Sequence, residues 1–372
     1  MKVKFFILLF LATFFVQCRK DNTSLPVTVA VPFSATPYSI NYPFFWSKVP
    51  ILSPANNPLT VEGIALGRKL FYDPILSQNN TMSCATCHNI NFSFTDSTKQ
   101  FSSGLHGEVG KRNAPPIFNL GWFTNYGVLT HQFFWDGGAS DLESQVFGPI
   151  TNPIEMSETL PNVLTKLKLK SEYPTLFKKA FGTDSITSQL LAFAISQFER
   201  TIISGNTKFD QGRLINFSNF SPEEMNGFIT FTSEKGDCWH CHTLAPPSSP
   251  LETDFGLDFS FHNNGLQKIF TDSGLARITK NNGDLGKLKT PSIRNLVFTA
   301  PYMHDGRFST LEQVVDFYDA QAYQGSNVDG FITKNPHPTG LNLSSQEKRE
   351  LILFLKTLTD SSLIVNTSYS KP

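Results

Sequence analysis

The sequence predicts a mainly α-helical fold with long loops and little β-structure. Helical periodicity and helix-start signals recur along the chain, whereas strand signals are weak. One helical face carries Leu190, Ala194, Phe198 and Ile202. The segment Ser309-Thr310-Leu311-Glu312 has the form of a capping box. Glycine and proline runs break the intervals between such segments, which predicts short helices joined by long loops.

A complete C-x-x-C-H motif occurs once in each half of the chain, and this pattern attaches haem covalently. The motifs are Cys84-Ala85-Thr86-Cys87-His88 and Cys238-Trp239-His240-Cys241-His242. In each motif the two cysteines form thioethers to the porphyrin and the histidine becomes an iron ligand. We therefore expect two covalently bound c-type haems in two cytochrome c-like domains, with His88 and His242 as the proximal ligands.

The alternative for these cysteines is a single zinc site built from both pairs. Structural zinc knuckles usually lie closer together, and the histidine that follows each pair would then be a coincidence. Four of the five cysteines lie in the motifs, and the fifth is Cys18 near the N terminus. The cysteine pattern therefore favours haem.

The N terminus has the form of a signal peptide over residues 1–18. Lys2 and Lys4 precede an apolar run that is too short to span a bilayer comfortably. Haem of this type is attached outside the cytoplasm, so a periplasmic protein is expected. Cys18 resembles the lipidated cysteine of a bacterial lipoprotein, which would anchor the protein to a membrane. Gln17 replaces the small residue usual before that cysteine, which leaves ordinary signal cleavage open.

The motifs and the composition divide the rest of the chain into segments. We expect a linker over residues 19–48, an N-terminal haem domain over 49–208, a C-terminal haem domain over 209–360 and a tail over 361–372. A G-x-x-x-F phrase precedes each haem motif, at Gly67 and at Gly227, which is weak evidence of an internal duplication. The formal net charge of zero argues against a nucleic-acid partner.

Further phrases surround the two haem motifs. They include Leu66-Gly67-Arg68-Lys69-Leu70-Phe71, Arg112-Asn113-Ala114-Pro115-Pro116, Phe134-Trp135-Asp136-Gly137, Asn152-Pro153-Ile154-Glu155-Met156 and Ala300-Pro301-Tyr302-Met303-His304-Asp305-Gly306. In this combination the chain, over residues 50–359, resembles the bacterial di-haem cytochrome c peroxidases and their relatives of the MauG type. The resemblance implies reduction of hydrogen peroxide at the N-terminal haem, with electrons delivered through the C-terminal haem.

The resemblance also implies a distal site at the N-terminal haem. Gln145 and Glu155 match the family's glutamine and glutamate in type and in their ten-residue spacing. A carboxylate beside the iron can take a proton from peroxide and return it to the leaving oxygen. Trp135 matches a tryptophan between the haems, and Pro149 matches a proline that walls the distal pocket. Taken alone, Glu155 would be interpreted as a surface carboxylate and Trp135 as a core residue.

Family members bind calcium between their haem domains through an asparagine side chain and two backbone carbonyls. Asn113, Thr299 and Pro301 match those positions. Oxygen ligands of this kind suit calcium. The resemblance therefore predicts a calcium ion, with a turn-capping role as the alternative for Asn113.

The chain departs from the family at the distal ligand of the first iron. Leu105 stands where resting peroxidases often have a blocking histidine, and His106 comes one residue late. We expect either a free distal site or ligation by His106 after a shift of the loop.

A second departure concerns the axial ligand of the second iron. The family methionine lies fourteen residues after the histidine of its His-Asp-Gly phrase, and here that position holds Tyr318, as in the MauG-type relatives. Met303 is the competing ligand. Tyr318 also shares a helical apolar face with Leu311 and Val315, so packing alone would explain it.

The working hypothesis is a periplasmic, lipid-anchored di-haem peroxidase that takes electrons from a small cytochrome c or a cupredoxin. The first rival is a MauG-type oxidase that uses peroxide to oxidise a residue of a partner protein, and Tyr318 favours it. The second rival is a di-haem electron carrier without catalysis. Gln145 and Glu155 argue against a carrier, which needs no distal acid–base pair. The sequence leaves open whether the protein is a monomer or a homodimer.

Overall fold

A computed structural model of the chain describes residues 33–43, 51, 53–96, 99–122, 133–242, 261–320, 327–333 and 340–372. Strands in these ranges are limited to β1 (Phe261–His262) and β2 (Leu288–Lys289), which pair antiparallel. The predicted fold class, mainly α with little β, is confirmed. Residues Ala35–Pro372 form one compact unit.

Helices build most of that unit. In the described ranges the α-helices are α1 (Val61–Tyr72), α2 (Cys84–Cys87), α3 (Leu142–Gln145), α4 (Phe147–Thr151), α5 (Leu160–Leu169), α6 (Glu172–Phe181), α7 (Ser188–Thr201), α8 (Lys208–Leu214), α9 (Pro222–Thr232), α10 (Ala276–Thr279), α11 (Leu311–Asp319), α12 (Gly330–Thr333), α13 (Ser345–Lys356) and α14 (Ser361–Ile364). Short 3₁₀ turns lie at Pro74–Leu76, Ile90–Phe92, Leu120–Trp122, Cys238–His240 and Asn282–Asp284.

Side-chain caps start several of these helices. The capping box before α11 pairs Thr310 with Gln313, one residue further along than the sequence predicted. Ser344 and Glu347 form the equivalent box before α13. A cap oxygen accepts a backbone N–H that has no partner within the first turn, which is why these residue types mark the helix starts.

In each half, a glycine allows the two main helices to lie in close contact. A Cβ atom on Gly67 of α1 would lie 1.9 Å from the carbonyl oxygen of Ala194 in α7. A Cβ atom on Gly227 of α9 would lie 2.0 Å from the carbonyl oxygen of Glu350 in α13. The absence of a side chain therefore allows both helix pairs to approach in the same way.

Four residues after each glycine, a phenylalanine packs against the same partner helix. Phe71 packs on Phe198 with ring centroids 5.3 Å apart, and Phe231 packs on Phe354 with ring centroids 5.2 Å apart. The two G-x-x-x-F phrases thus occupy equivalent positions in the two helix pairs, which supports the internal duplication.

Each half of the chain has its own apolar cluster. One cluster draws its buried residues from positions 66–195 and another from positions 209–358. Asp360 is buried at the connection between the halves, where its carboxylate accepts the N–H groups of Gly205 and Asn206 at 3.0 and 3.1 Å. The domain bounds at residues 208 and 209 stay a prediction.

Parts of the predicted linker and tail pack against the first half. Tyr38 donates its backbone N–H to the carbonyl of Leu59 at 3.0 Å. Near the C terminus, Arg68 of α1 donates through Nε to the carbonyl of Ser370 at 2.6 Å. The segment 361–372 is therefore folded onto α1 and is not a free extension. The predicted signal peptide and Cys18 lie outside the described residues, and no helix within the described ranges has the length and apolar character to cross a bilayer.

A buried charged cluster joins α7 to α3. Arg200 is fully buried and donates to both carboxylate oxygens of Glu143 at 2.7 and 2.9 Å. The neighbouring Glu199 is 6% exposed, and its Oε2 has no hydrogen-bond partner among the described residues. Burial raises the pKa of Glu199 to about 8, although the charge of Arg200 opposes this shift. The carboxyl group is therefore protonated in the folded protein near neutral pH.

We expect Glu199→Gln to remove a pH dependence of stability. Above the ordinary pKa of 4.5 the unfolded state releases the Glu199 proton, whereas the folded state keeps it up to about pH 8. The contribution of Glu199 to the free energy of unfolding is therefore largest below pH 4.5 and decreases as the pH rises to about 8. The free energy of unfolding of the native chain should fall by up to about 1.4 kcal/mol per pH unit in this window. Chemical denaturation of the haem-loaded protein at several pH values measures it. The exposed Glu108→Gln should keep the native slope, and an unchanged slope in Glu199→Gln would contradict the assignment.

Candidate functional site

The first C-x-x-C-H motif lies in α2 and the residue that follows it. The backbone N–H of Ser83 donates to Thr86 Oγ1 at 3.0 Å, which fixes the start of this short helix. His88 Nδ1 lies 2.9 Å from the carbonyl oxygen of Phe94. Because a carbonyl can only accept, Nδ1 carries the hydrogen and Nε2 presents its lone pair. Burial lowers the pKa of His88, which favours the neutral imidazole that iron ligation needs.

The second motif borders a cavity of about 250 Å³. Cys238, Cys241 and His242 line one part of it. The remaining lining is largely apolar and includes Phe231, Ile293, Leu311, Val315 and Leu351. An apolar cavity that also presents a histidine suits a haem, which is a large apolar disc with one metal to ligate.

The two cysteine pairs do not meet. Cys84 packs in the apolar cluster around Phe71 and Phe94, and Cys238 packs in the cluster of the second half. In the described ranges, the one group of three His, Cys, Asp or Glu donors within reach of a single ion contains no cysteine. The residues therefore fit two separate haems and not one shared zinc ion.

The predicted distal residues lie on consecutive elements of the first half. Gln145 ends α3 and is half-buried, and Pro149 lies within α4. The chain then turns back, because the N–H of Met156 donates to the carbonyl of Pro149 at 3.2 Å. Glu155 lies in this turn, where Asn152 Nδ2 donates to its Oε1 at 2.7 Å.

The carboxylate of Glu155 lies close to the first haem motif. Burial raises the pKa of the Cys87 thiol to about 11, and the negative charges of Asp96 and Glu155 add to this effect. Partial loss of hydration raises the pKa of Glu155, although the hydrogen bond from Asn152 opposes this shift. Its side chain is still exposed to solvent. A carboxyl group in this position can exchange protons with a small molecule.

Leucine, not histidine, lies beside Glu155. The N–H of Leu105 donates to the carbonyl of Glu155 at 2.9 Å, and its side chain packs on the first core. Glycine at position 104 allows this approach, since a Cβ there would lie 2.0 Å from the carbonyl oxygen of Ile154. His106 is exposed, and its Nε2 lies 3.0 Å from Gln78 Oε1.

Trp135 lies where the two halves meet. It is buried, its indole Nε1–H donates to the carbonyl of Asn113 at 2.9 Å, and its ring centroid lies 6.4 Å from that of His304. The N–H of Asn113 donates to the carbonyl of His304 at 2.6 Å. Trp135 also lines the cavity of the second motif. The indole of Trp135 therefore lies at the boundary between the N-terminal half and the second cavity.

The three residues predicted to bind calcium border the same cavity. They are Asn113, Thr299 and Pro301. Asn113 Nδ2 donates to the carbonyls of Lys99 and Gln100 at 3.1 and 3.2 Å, which leaves its Oδ1 as an acceptor for another group. An amide oxygen and backbone carbonyls are suitable calcium ligands. The calcium ion stays a prediction.

Both candidates for the second axial ligand line the cavity, and they share one neighbour. Asn264 Nδ2 lies 3.2 Å from Tyr318 Oη and 3.8 Å from Met303 Sδ. Met303 has a backbone φ of 72°, a left-handed conformation that is unusual for a residue with a side chain. Both side chains therefore line the same cavity as His242.

Comparison with known proteins identifies the family to which this chain belongs. The family model described as di-haem cytochrome c peroxidase matches residues 61–214. The methylamine utilization protein MauG of Methylorubrum extorquens is 36% identical over 314 residues, which cover 82% of this chain and 80% of that protein. The cytochrome c551 peroxidase of Nitrosomonas europaea is 31% identical over 306 residues, which cover 82% of each chain. The crystal structure of a MauG-like protein associated with microbial copper homeostasis has a TM-score of 0.77 at 32% identity and covers 90% of this chain and 99% of that one.

The chain belongs to the di-haem cytochrome c peroxidase and MauG family. Two c-type haems follow from this membership, and the two C-x-x-C-H motifs are their predicted attachment sites. The resemblance read from the sequence is confirmed. The relatives include both peroxidases and MauG proteins, so membership alone does not separate these two activities.

Asn264 is the site residue that sequence reasoning missed in this di-haem protein. It belongs to the phrase Phe261-His262-Asn263-Asn264-Gly265, but it lies 54 residues before Tyr318 along the chain. No local pattern links these positions, so only the folded structure shows that one amide lies next to both candidate ligands.

The first site prediction concerns the distal side of the N-terminal haem. Because His106 is exposed and Leu105 lies beside Glu155, the oxidised enzyme should have a high-spin N-terminal haem without prior reduction. Electron paramagnetic resonance of the wild type and of His106→Ala measures this. Low-spin bis-histidine signals that disappear in His106→Ala would instead make His106 the ligand.

The second prediction concerns the C-terminal haem. If Tyr318 is the ligand, Tyr318→Phe should change the spectrum of this haem and raise its reduction potential, because an anionic oxygen stabilises ferric iron. Met303→Leu should change both properties little. A methionine-to-iron charge-transfer band that is lost in Met303→Leu would assign the ligand to Met303.

Proposed function

We propose that the protein is a periplasmic di-haem peroxidase that reduces hydrogen peroxide to water at the N-terminal haem, with electrons entering through the C-terminal haem. The observation that carries this proposal is the position of Glu155, whose carboxyl group lies near Cys87 and has a raised pKa. An electron carrier has no need of such a group at its first haem. The haems supply irons that accept, store and donate electrons, and the side chains manage the protons.

Glu155 is suited to move one proton between the two peroxide oxygens. Asn152 occupies Oε1, so Oε2 is the atom that takes a proton from hydrogen peroxide and returns it to the leaving oxygen. One peroxide, two electrons and two protons then give two waters. A pKa above the usual carboxyl range brings the group closer to neutral pH, where proton transfer in both directions is most effective. Gln145 orients peroxide or water in this proposal.

Two short stretches connect the first histidine ligand with the second cavity. His88 contacts the carbonyl of Phe94, and the next residue, Thr95, lines the cavity. His88 also interacts with the backbone of Pro115, and the next residue, Pro116, lines the cavity. Together with Trp135, these stretches provide the route by which electrons pass between the haem sites.

The electron donor in this proposal is a small cytochrome c or a cupredoxin of the same compartment. The name of the cytochrome c551 peroxidase of Nitrosomonas europaea supports a cytochrome donor. Export and lipid anchoring through Cys18 belong to the same proposal and rest on the sequence of the N terminus.

Tyr318 supports a second function, a MauG-type oxidase that acts on a partner protein. Its hydroxyl lies in the second cavity beside Asn264. Tyrosinate ligation would lower the potential of the second haem and make it a poorer electron reservoir. The similarity to MauG of Methylorubrum extorquens is a further observation in favour of this alternative.

The distal carboxylate gives the direct test of the peroxidase. Glu155→Gln should lower the turnover of peroxide by about 10²–10⁴-fold while both haems stay bound, because the amide cannot accept and return a proton. The measurement is steady-state oxidation of a reduced cytochrome c by peroxide. The nearby exposed Glu108→Gln should retain full turnover, and near-normal turnover of Glu155→Gln would exclude Glu155 from the mechanism.

A further inference from the structure

Three ligand-type side chains meet next to the second haem motif. Glu234, Asp237 and His240 each bring one donor atom into a group whose members all lie within 4.8 Å of one another. His240 Nε2 lies 3.1 Å from Asp237 Oδ1 and 3.3 Å from Glu234 Oε1. His240 is the middle residue of Cys238-Trp239-His240-Cys241-His242, so haem attachment assigns no role to its side chain.

Aromatic neighbours fix the direction of the His240 ring. The ring centroid lies 4.0 Å from that of Trp239 and 5.1 Å from that of Phe331, and the Phe331 ring is nearly parallel to it at 9°. This stacking holds Nε2 towards both carboxylates. A single ring nitrogen has one hydrogen at most, so it cannot make two strong hydrogen bonds at once.

The separations of the donor atoms are compatible with a shared ion. Charge-assisted N–H···O bonds are typically about 2.7–2.9 Å long, and both separations here are longer. Donor atoms about 2.0–2.2 Å from a tetrahedral ion are separated from one another by about 3.3–3.6 Å. The separation from Glu234 falls in that range, and that from Asp237 lies close to it.

Charge and chain geometry favour the same interpretation. Two carboxylates and a neutral imidazole carry two negative charges, which one divalent cation neutralises. The three residues follow one another at three-residue intervals, and Asp237 has a left-handed backbone with φ of 54° that turns the chain between the other two. The loop is held in place on both sides, by α9 and by the attachment cysteine Cys238.

We propose that Glu234, Asp237 and His240 form a binding site for a divalent transition-metal cation of the Zn²⁺ class, with water completing its coordination. An imidazole nitrogen beside carboxylates suits such a cation better than it suits Ca²⁺ or Mg²⁺, which prefer oxygen ligands. The site is separate from the haem irons and from the predicted calcium position at Asn113. It is also independent of the peroxidase proposal, because no proton or electron transfer passes through it.

Zinc titration of the haem-loaded protein by isothermal calorimetry tests the site. His240→Ala and Glu234→Gln should each weaken zinc binding at this site at least about tenfold, since each removes one ligand. The exposed Glu223→Gln removes a carboxylate of the same half without touching the cluster and should bind zinc as the native chain does. X-ray absorption of the zinc complex should show one imidazole and oxygen ligands at about 2.0–2.2 Å.

Equal zinc affinity in the native chain, His240→Ala and Glu234→Gln would overturn the proposal. Displacement of zinc from the native chain by an equal concentration of Ca²⁺ would also overturn it. The absorbance of both haems monitors the fold of each variant. Glu234 is exposed, so Glu234→Gln keeps the test decisive if His240→Ala disturbs the attachment loop.

Discussion

The contacts of Asn113 join the two halves of this protein. Its N–H binds the carbonyl of His304, and its own carbonyl binds the indole of Trp135. Next to this contact, the fully buried Asp136 pairs with Arg112 at 2.7 Å and with Arg277 at 2.6 Å. Removal of both arginines would leave the fully buried carboxylate of Asp136 without a compensating charge, which is destabilising. The proposed electron route, the predicted calcium site and the wall of the second cavity all depend on this junction.

Two equivalent helix pairs, one in each half, support two haem sites with different surroundings. Each half uses a glycine to bring its two main helices together, and each follows that glycine with a packed phenylalanine. The two halves differ in the segments that surround each haem motif. The first half adds the turn that carries Glu155, and the second adds Asn264 and Tyr318 at its cavity. In the proposed function, the first site manages protons and the second transfers electrons, although both rest on equivalent helix pairs.

The sequence predicted the features that depend on neighbouring residues. The C-x-x-C-H motifs, the capping box before α11 and the mainly helical character are local patterns. The box lies one residue further along than predicted, and the fold class is confirmed. The G-x-x-x-F phrases gave a weak signal because their partners, Ala194 and Glu350, lie more than a hundred residues away. The position of Asn264 beside two candidate ligands was not predictable for the same reason.

Burial was the other property that the sequence did not reveal. Glu199 precedes Arg200 in an ordinary helical segment, yet the fold buries both and leaves one oxygen of Glu199 without a hydrogen-bond partner among the described residues. The segment 361–372 looked like a tail, but Arg68 and Tyr72 of α1 bind its backbone. These contacts form only when distant parts of the chain meet.

Rapid mixing of the haem-loaded protein with hydrogen peroxide, with and without a reduced small cytochrome c, distinguishes a peroxidase from a MauG-type oxidase. Both haem spectra and the oxidation of the added cytochrome are followed together. The proposed peroxidase should oxidise two molecules of a one-electron donor for each peroxide consumed, because reduction of one peroxide to two waters takes two electrons. Consumption of peroxide without oxidation of any small cytochrome or cupredoxin donor, accompanied by oxidation of a partner protein, would contradict it and would assign the MauG-type activity.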